Sequence, residues 1–220
     1  MVSSCPPPCS ITSRPIRKSF SMSDEPSDRR RTFDRLFAGD PDPWDFESSA
    51  YEALKRKATL AVLFPDRFGR GLEIGCANGV LTAQLATICD HVLAIDISDV
   101  ALELAASRVG DLDNVSLAQA EVPRGWPEGT FDLIVLSEIL YFLSAEEIAQ
   151  VARLAWASLS DQGTCLLVNW TGPNDQPIDG ETACAIFIDQ KPWLNTASEA
   201  WPSFRIDRLH KTGTTRKRSR

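Results

Sequence analysis

The sequence feature that most constrains the fold is the segment from Gly71 to Thr82, which reads GLEIGCANGVLT. Leu72 and Ile74 give its first half the apolar character of a buried strand, and the residues from Val80 onward favour a helix. Between the strand and the helix lies a turn of small residues: Gly75, Ala77 and Gly79. Such a turn lets the backbone approach a ligand closely, and the free N–H groups that open the helix favour an anionic or electron-rich group.

The spacing within this turn separates two classes of nucleoside cofactor. The dinucleotide pattern G-x-G-x-x-G would need glycine at positions 75, 77 and 80, but the chain has Ala77 and Val80 at the last two. Glu73 stands at the end of the strand, where its carboxylate would repel a pyrophosphate and would suit a ligand with a positive charge. The turn therefore predicts S-adenosylmethionine rather than NAD as the cofactor.

The composition is that of a folded domain with an acidic body. The chain is 43 % hydrophobic with six Trp, and no apolar run approaches the roughly 18 residues that span a membrane. The net charge is −7, but eight of the 23 basic residues lie in the terminal segments 1–22 and 211–220, which contain no acid. Residues 23–210 are therefore more acidic than the net charge of the chain suggests. Nucleic acid is therefore a disfavoured partner.

Six cysteines without a C-x-x-C pair predict reduced thiols in a cytoplasmic protein.

We expect three parts along the chain: a disordered extension over residues 1–22, one domain over 23–210 and a basic disordered tail over 211–220. The first 20 residues lack the apolar segment of a secretory signal. The run Met22-Ser23-Asp24-Glu25-Pro26 is typical of a protein start, so Met22 is a candidate initiator. A native N-terminal peptide from upstream of Met22, found by mass spectrometry, would contradict that hypothesis.

Strands and helices alternate from Gly71 onward, which predicts an α/β fold with a Rossmann-like sheet and helices on both faces. The predicted strands are Gly71–Gly75, His91–Ile97, Val115–Ala120, Phe131–Ser137 and Thr164–Trp170. The predicted helices between them are Val80–Cys89, Val100–Val109 and Ala145–Leu159. A helix at Gly180–Asp189 and one or two strands within Ala200–Leu209 are expected to complete the sheet with a shortened antiparallel hairpin.

An aromatic segment precedes the sheet and predicts a lid. Two prolines force an extended path at Pro41 and Pro43, and Ser48 or Ser49 then caps a helix over Ala50–Leu63. The aromatic residues of this region are Trp44, Phe46 and Tyr51. They are well placed to cover a bound cofactor, and packing of a surface helix is the alternative.

Ligands of an open α/β sheet bind beyond the carboxyl ends of the strands, so each strand end supplies candidate residues. Asp96, at the end of the second strand, is predicted to accept hydrogen bonds from ribose hydroxyls. Glu121 follows the third strand, where it either accepts from an adenine amino group or is a solvated loop acid, and Val122 would pack on the adenine ring. The complete set of predicted cofactor residues is Glu73, Gly75, Ala77, Gly79, Asp96, Ile97, Glu121, Val122, Ser137 and Trp44.

Glu138 and Tyr141 are the predicted catalytic residues. Glu138 follows an apolar strand into the cleft, where burial would raise the pKa of its carboxyl and let it hold an amine or take its proton; a structural acid in a loop is the alternative. Tyr141 either contacts the acceptor or packs in the core. Trp170 either offers an aromatic face to a sugar or a sulfonium or is a packing residue.

Other catalytic arrangements have little support in the sequence. Tyr51-x-x-x-Lys55 superficially matches the Tyr/Lys pair of short-chain dehydrogenases, but it precedes the cofactor turn and is discounted. With only two histidines, His91 and His210, neither a metal site nor a histidine base is indicated.

Four segments together resemble the class I S-adenosylmethionine-dependent methyltransferases: Leu72–Gly79, Ile95–Ser98, Gln119–Glu121 and Phe131–Val135. Three further segments are similar to the nodulation protein S family: Glu73–Gly79, Leu133–Tyr141 and Gly39–Trp44. Members of that family N-methylate the deacetylated amino sugar at the non-reducing end of a chitooligosaccharide. The resemblance covers about residues 33–170, with weaker support to Leu209.

The resemblance implies a seven-stranded methyltransferase fold with an N-terminal helical lid, S-adenosylmethionine as cofactor and an amine acceptor. It places the turn, Asp96, Glu121 and Val122 at the cofactor, and Glu138 and Tyr141 at the acceptor. Two positions depart from the wider class: Ala77 replaces the middle glycine, as in the nodulation-type enzymes, and Glu121 stands where Asp is common. A saccharide acceptor is the first choice, and another small-molecule amine or hydroxyl is the close alternative. An NAD-dependent oxidoreductase and a non-catalytic cofactor-binding protein are the alternatives of a different class.

Overall fold

The computed structural model describes residues 26–211. The extension predicted at 1–22 lies outside the described residues, as does the tail predicted at 211–220 apart from Lys211. Lys211 ends a strand, so the domain reaches one residue beyond the predicted boundary at 210. No helix among the described residues has both the length and the apolarity to cross a membrane.

Six α-helices and seven β-strands follow one another along residues 26–211. In chain order they are α1 (Asp28–Gly39), α2 (Ala50–Leu63), β1 (Phe68–Ile74), α3 (Val80–Leu85), β2 (Cys89–Asp96), α4 (Asp99–Val109), β3 (Val115–Gln119), β4 (Phe131–Ser137), α5 (Ala145–Ser158), β5 (Leu159–Trp170), α6 (Gly180–Asp189), β6 (Trp193–Ala200) and β7 (Phe204–Lys211). A short 3-10 turn at Leu140–Phe142 follows β4.

All seven strands form one sheet in the order β3-β2-β1-β4-β5-β7-β6. The first five strands of that order are parallel, and β7 runs antiparallel to both β5 and β6. From β1 the sheet continues through β2 to β3 on one side, and from β4 it continues through β5 on the other. The strand order therefore reverses between β1 and β4. This arrangement confirms the predicted seven-stranded α/β methyltransferase fold.

Both faces of the sheet are covered by helices. In β4, Ile134 and Leu136 belong to the apolar cluster that contains residues of α5 and α6, whereas Leu133 and Val135 belong to the cluster with residues of α2, α3 and α4. All four side chains are completely buried. A strand buried on both faces has a continuous apolar sequence, which explains why the run Leu133–Leu136 carries no polar residue.

The structure corrects several predicted elements, including β5, which begins at Leu159 rather than Thr164. Helix α3 ends at Leu85, and Cys89, which was predicted to end that helix, instead begins β2. The predicted shortened hairpin is wrong, because β6 and β7 are eight residues each. Strand β6 was missed because it is an edge strand with no buried residue, so its sequence lacks apolar alternation.

Helix α1 lies in the region where an N-terminal helical lid was expected, but no helix was predicted over its residues. It begins after the N-cap Ser27, whose side chain accepts a hydrogen bond from Arg30 N at 3.0 Å, and it buries only Phe37. A helix of this kind has too little apolar periodicity to be recognised in the sequence. By contrast, α2 has the predicted bounds, with Ser49 as its N-cap.

The four cysteines in the described part of the chain are free and buried: Cys76, Cys89, Cys165 and Cys184. The prediction of reduced thiols is confirmed for these four, and Cys5 and Cys9 lie outside the described residues. Burial raises the pKa of each thiol, which makes them unreactive packing residues.

Candidate active site

A cleft of about 830 Å³ lies where the carboxyl ends of β1, β2 and β4 meet α1 and α2. The strand order reverses at this edge of the sheet, and α/β folds bind their ligands at such a point. Eleven of the twelve predicted site residues line the cleft: Trp44, Glu73, Gly75, Ala77, Asp96, Ile97, Glu121, Val122, Ser137, Glu138 and Tyr141. The twelfth, Gly79, lies behind the turn as the N-cap of α3.

The turn after β1 requires glycine at two positions. Gly75 and Gly79 both have φ of +79°, a conformation that side chains disfavour. A Cβ at Gly75 would come within 2.3 Å of Ile139 Cγ2, and one at Gly79 would lie 3.1 Å from Ala105 Cα. The middle residue, Ala77, also has a positive φ of +48°. The turn thus keeps its backbone open to the cleft on one side and packed against α4 on the other.

Asp96 links this turn to β2. Its Oδ2 accepts a hydrogen bond from Ala77 N at 2.9 Å, and its Oδ1 accepts one from Ser98 N at 2.9 Å. Burial raises the pKa of Asp96 to about 6, and these backbone donors oppose the rise. Each carboxylate oxygen accepts up to two hydrogen bonds, so the carboxylate retains an acceptor position for a ligand hydroxyl. The helix-capping role belongs to Ser98, whose Oγ accepts from Ala101 N.

Glu73 lies at the base of the cleft and is almost fully buried, with 1 % of its surface exposed. Its Oε2 accepts a hydrogen bond from Thr82 Oγ1 at 2.6 Å. Burial raises the pKa of Glu73 to about 8, Thr82 opposes the rise and the charge of Asp96 adds to it. The sequence analysis expected Glu73 to present a negative charge to the ligand. The structure instead places its carboxyl beneath the turn, where burial favours the protonated form near neutral pH.

Asn78 adds an unpaired acceptor to the same region. Its Nδ2 donates to Asp42 Oδ1 at 3.1 Å, and its buried Oδ1 has no hydrogen-bond partner among the described residues. A buried acceptor without a partner is costly unless a ligand supplies the donor. The glycine turn, the available oxygens of Asp96 and this orphaned acceptor therefore fit a nucleoside-type cofactor.

Glu121 and Val122 line the same cleft as the glycine turn and Asp96, and we call this part of it the cofactor half after its predicted role. Glu121 Oε1 is 3.4 Å from Arg29 Nη1, and Arg29 Nη2 is 2.9 Å from Glu147 Oε2. Glu121 is therefore a half-buried acid paired with α1 rather than a solvated loop acid. Val122 is buried and, with Ile97, gives this part of the cleft apolar walls against which a flat ring could pack.

The aromatic cover is larger than the sequence suggests. Trp44 packs with its ring centroid 5.6 Å from Phe46, 5.7 Å from Phe37 and 6.5 Å from Phe33. All four rings line the cleft, and two of them belong to the unpredicted helix α1. Helix α1 is joined to the cofactor half at Ser98, whose Oγ donates to Asp34 at 2.6 Å.

The rest of the cleft, which we call the acceptor half after its predicted role, is centred on Glu138, which follows β4 with a strained φ of +60°. Its Oε1 accepts from Lys55 Nζ at 2.7 Å. Its Oε2 accepts from Tyr141 Oη at 2.6 Å and from Trp170 N at 2.9 Å. Burial and the Glu138 carboxylate raise the pKa of Tyr141, so its hydroxyl keeps its proton and donates. The structure thus brings together the two predicted catalytic residues.

Lys55 and Glu52 are site residues that the sequence analysis missed. Lys55 Nζ is also 2.8 Å from Glu52 Oε1, and both side chains line the cleft from α2. A signal was present, because Lys55 shares a helix face with Tyr51 four residues before it and Thr59 four residues after it. Tyr51 lies edge-on to Trp170 at 5.5 Å, so it covers the acceptor half rather than the cofactor half.

The strand order, the glycine turn and the acid that ends β2 define the class: the fold and site are those of the class I methyltransferases, whose cofactor is S-adenosylmethionine. The family model of nodulation protein S matches residues 27–164, more than half of the chain. The chain therefore belongs to the nodulation protein S family. Membership in this family excludes the alternative of an NAD-dependent oxidoreductase, which the mismatch between the turn and the dinucleotide pattern had already disfavoured.

Two curated relatives and one solved structure illustrate the match. Nodulation protein S of Bradyrhizobium diazoefficiens is 33 % identical over 103 residues, 46 % of this chain and 49 % of the relative. That of Rhizobium tropici is 32 % identical over 134 residues, 60 % of this chain and 54 % of the relative. The chain thus spans about half the length of the curated relatives it matches. N-methyltransferase NodS from Bradyrhizobium japonicum WM9, solved with S-adenosyl-l-homocysteine, shares the fold with a TM-score of 0.73 at 22 % identity, covering 84 % of this chain and 100 % of that one.

Proposed function

We propose that the protein transfers the methyl group of S-adenosylmethionine to the amine of an amino-sugar or oligosaccharide acceptor. The observation that carries the proposal is a single cleft that joins the glycine turn and Asp96 to the partly buried carboxylate of Glu138. The nodulation protein S family supports the methyltransferase class, and the N-methyltransferase NodS structure supports the choice of an amine.

The cofactor half would hold and orient the nucleoside. Asp96 would accept from the ribose hydroxyls, while Ile97 and Val122 would pack on the adenine ring and Glu121 would accept from its amino group. Bound S-adenosylmethionine supplies an activated methyl group on a cationic sulfur. The task of the chain is then to align the nucleophile with that methyl group and to exclude water, which the aromatic cover around Trp44 would do.

The acceptor half would hold the amine. Glu138 would accept a hydrogen bond from an N–H of a neutral amine, which leaves the nitrogen lone pair directed at the methyl group. Tyr141 and Trp170 N fix the carboxylate from the other side. The aromatic rings of Tyr51 and Trp170 would offer apolar faces to a sugar ring. The same geometry accommodates a different small-molecule amine, which is the alternative acceptor.

The test is methyl transfer from S-adenosylmethionine to a chitooligosaccharide whose non-reducing end carries a free amine, read by mass spectrometry of the product. The fully N-acetylated oligosaccharide of the same length is the matched control, because it differs only in the blocked nitrogen. We expect one added methyl group on the free amine and none on the control. Methylation of both would indicate a hydroxyl acceptor, and methylation of neither, with S-adenosylhomocysteine bound, would contradict the saccharide acceptor.

A further inference from the structure

A cluster of three charged side chains, of which Glu52 and Lys55 are buried and Glu138 is partly buried, lies in the acceptor half of the cleft. Lys55 Nζ sits between Glu52 Oε1, at 2.8 Å, and Glu138 Oε1, at 2.7 Å. The same ammonium lies 5.1 Å from the centroid of the Tyr51 ring. Only 7 % of the Lys55 side chain is exposed, so this cation is held inside the protein rather than at its surface.

The hydrogen bonds of Glu138 leave one acceptor position open. A carboxylate oxygen accepts two hydrogen bonds, and Oε2 already accepts from Tyr141 Oη and Trp170 N. Oε1 accepts from Lys55 alone among the described hydrogen bonds, so its second position is available. That position lies next to the Lys55 ammonium. An ammonium there would be attracted by the carboxylate but repelled by Lys55 at short range, so Lys55 weakens the preference of Glu138 for an ammonium over the N–H of a neutral amine.

We propose that Lys55 is a specificity-determining residue: it fills the cation position beside Glu138 and reserves the remaining acceptor position for a neutral amine. The inference rests on the proposed transfer to an amine. Only the neutral form has the lone pair that attacks, so repulsion of the ammonium form by Lys55 raises the reactive fraction of the bound acceptor. As the N–C bond forms, the C–S bond breaks and its electron pair stays on sulfur. The product nitrogen carries the extra proton, and repulsion by Lys55 favours its loss to water.

Several ionisable groups surround this position. From α2, α6 and the segment after β4 they are Tyr51, Glu52, Lys55, Arg56, Glu138, Tyr141 and Cys184. Burial raises the pKa of both tyrosines and of the Cys184 thiol, so these three stay neutral around pH 7. Burial also raises the pKa of Glu52, which Lys55 opposes.

The first experiment adds a small cation from solution to a variant that lacks the Lys55 ammonium. Lys55→Ala removes three methylene groups and the ammonium, which propylammonium matches in size and charge. We expect propylammonium chloride to raise the Tm of Lys55→Ala saturably above the effect of equal KCl, and to leave the wild type unchanged. Lys57→Ala, an exposed lysine on the same helix, is the matched control and should behave as the wild type. An equal response of wild type and Lys55→Ala, or none in Lys55→Ala, would overturn the proposal.

The second experiment changes the charge of the cluster in both directions. Rates of methyl transfer to the free-amine chitooligosaccharide are measured across pH for Lys55→Met, which removes the cation, and Glu52→Gln, which removes a carboxylate. We expect the acidic limb of kcat, which reports ionisations in the complex with bound acceptor, to move up by about one pH unit in Lys55→Met and down in Glu52→Gln. Lys55→Arg should keep the limb near the wild-type pH. Shifts in the same direction in both neutralising variants, or no shift in either, would contradict the proposal.

The two experiments separate this inference from the proposed function. If the wild type does not methylate the chitooligosaccharide, the proposed acceptor fails, and the propylammonium titration still decides whether Lys55 fills a cation position. If Lys55→Ala does not fold, the opposite shifts in Lys55→Met and Glu52→Gln decide it. If the wild type is active and both experiments give the contradicting result, the amine acceptor stands and Lys55 is a structural ion-pair partner.

Discussion

The two halves of the cleft are built in different ways. In the cofactor half the polar groups belong to strand ends and the turns after them, and the central one, Asp96, accepts hydrogen bonds from the backbone N–H groups of Ala77 and Ser98. In the acceptor half, side chains from separate elements bind one another, as Glu138 does with Lys55 and Tyr141. The cofactor half is therefore fixed by the sheet, whereas the acceptor half depends on a few side chains that substitution can change without disturbing a strand.

The largest effect is expected from Glu138→Gln. The amide cannot pair with Lys55 as a carboxylate does, so we expect turnover to fall by about 100-fold or more. The affinity for S-adenosylhomocysteine should change by less than about threefold, because Glu138 belongs to the acceptor half. Steady-state rates and calorimetric titration measure the two quantities, and the exposed Glu146→Gln is the control. Equal losses of turnover and cofactor affinity would show that the two halves are not separate.

A smaller effect concerns the pH dependence of stability in the cofactor half. The folded-state pKa of Glu73 is raised to about 8 from 4.5, so its contribution to stability is fully present below about pH 4.5 and is lost as the pH rises through 8. Glu73→Gln removes this titration. We expect the Tm of the variant relative to wild type to be higher at pH 9 than at pH 5 by roughly 5 °C. A Tm difference that does not change with pH would mean that Glu73 is ionised throughout.

The smallest effect is expected from Arg29→Ala. Arg29 joins α1 to Glu121 in the cofactor half and to Glu147 of α5, and these side chains are 27–31 % exposed. Solvent screens such pairs, so the loss of stability should be about 1 kcal/mol or less. The affinity for S-adenosylhomocysteine should fall by a few-fold, since α1 carries part of the aromatic cover. Arg31→Ala, an exposed residue of the same helix, is the control and should leave affinity unchanged.

The difference between the two halves also explains which parts of the site could be predicted from the sequence. The turn with Gly75 and the acid Asp96 are recognisable because each is defined by its position within or just after an apolar strand. Lys55 and Glu138 lie 83 residues apart, and only the packing of α2 against the sheet brings them within 2.7 Å. The partners of Arg29 lie 92 and 118 residues away, so the attachment of α1 was equally hidden. Local chemistry was predictable, and side-chain pairing between distant elements was not.

The most direct test of the central claim, that the turn and Asp96 form an S-adenosylmethionine site, is calorimetric titration of the wild type, Asp96→Ala and Asp90→Ala with S-adenosylhomocysteine and separately with NAD. Asp90 is an exposed acid on the same strand, away from the cleft. We expect S-adenosylhomocysteine to bind the wild type and Asp90→Ala equally, to bind Asp96→Ala at least about tenfold more weakly, and NAD to give no heat. Binding of NAD, or unchanged S-adenosylhomocysteine affinity in Asp96→Ala, would contradict the assignment of this site.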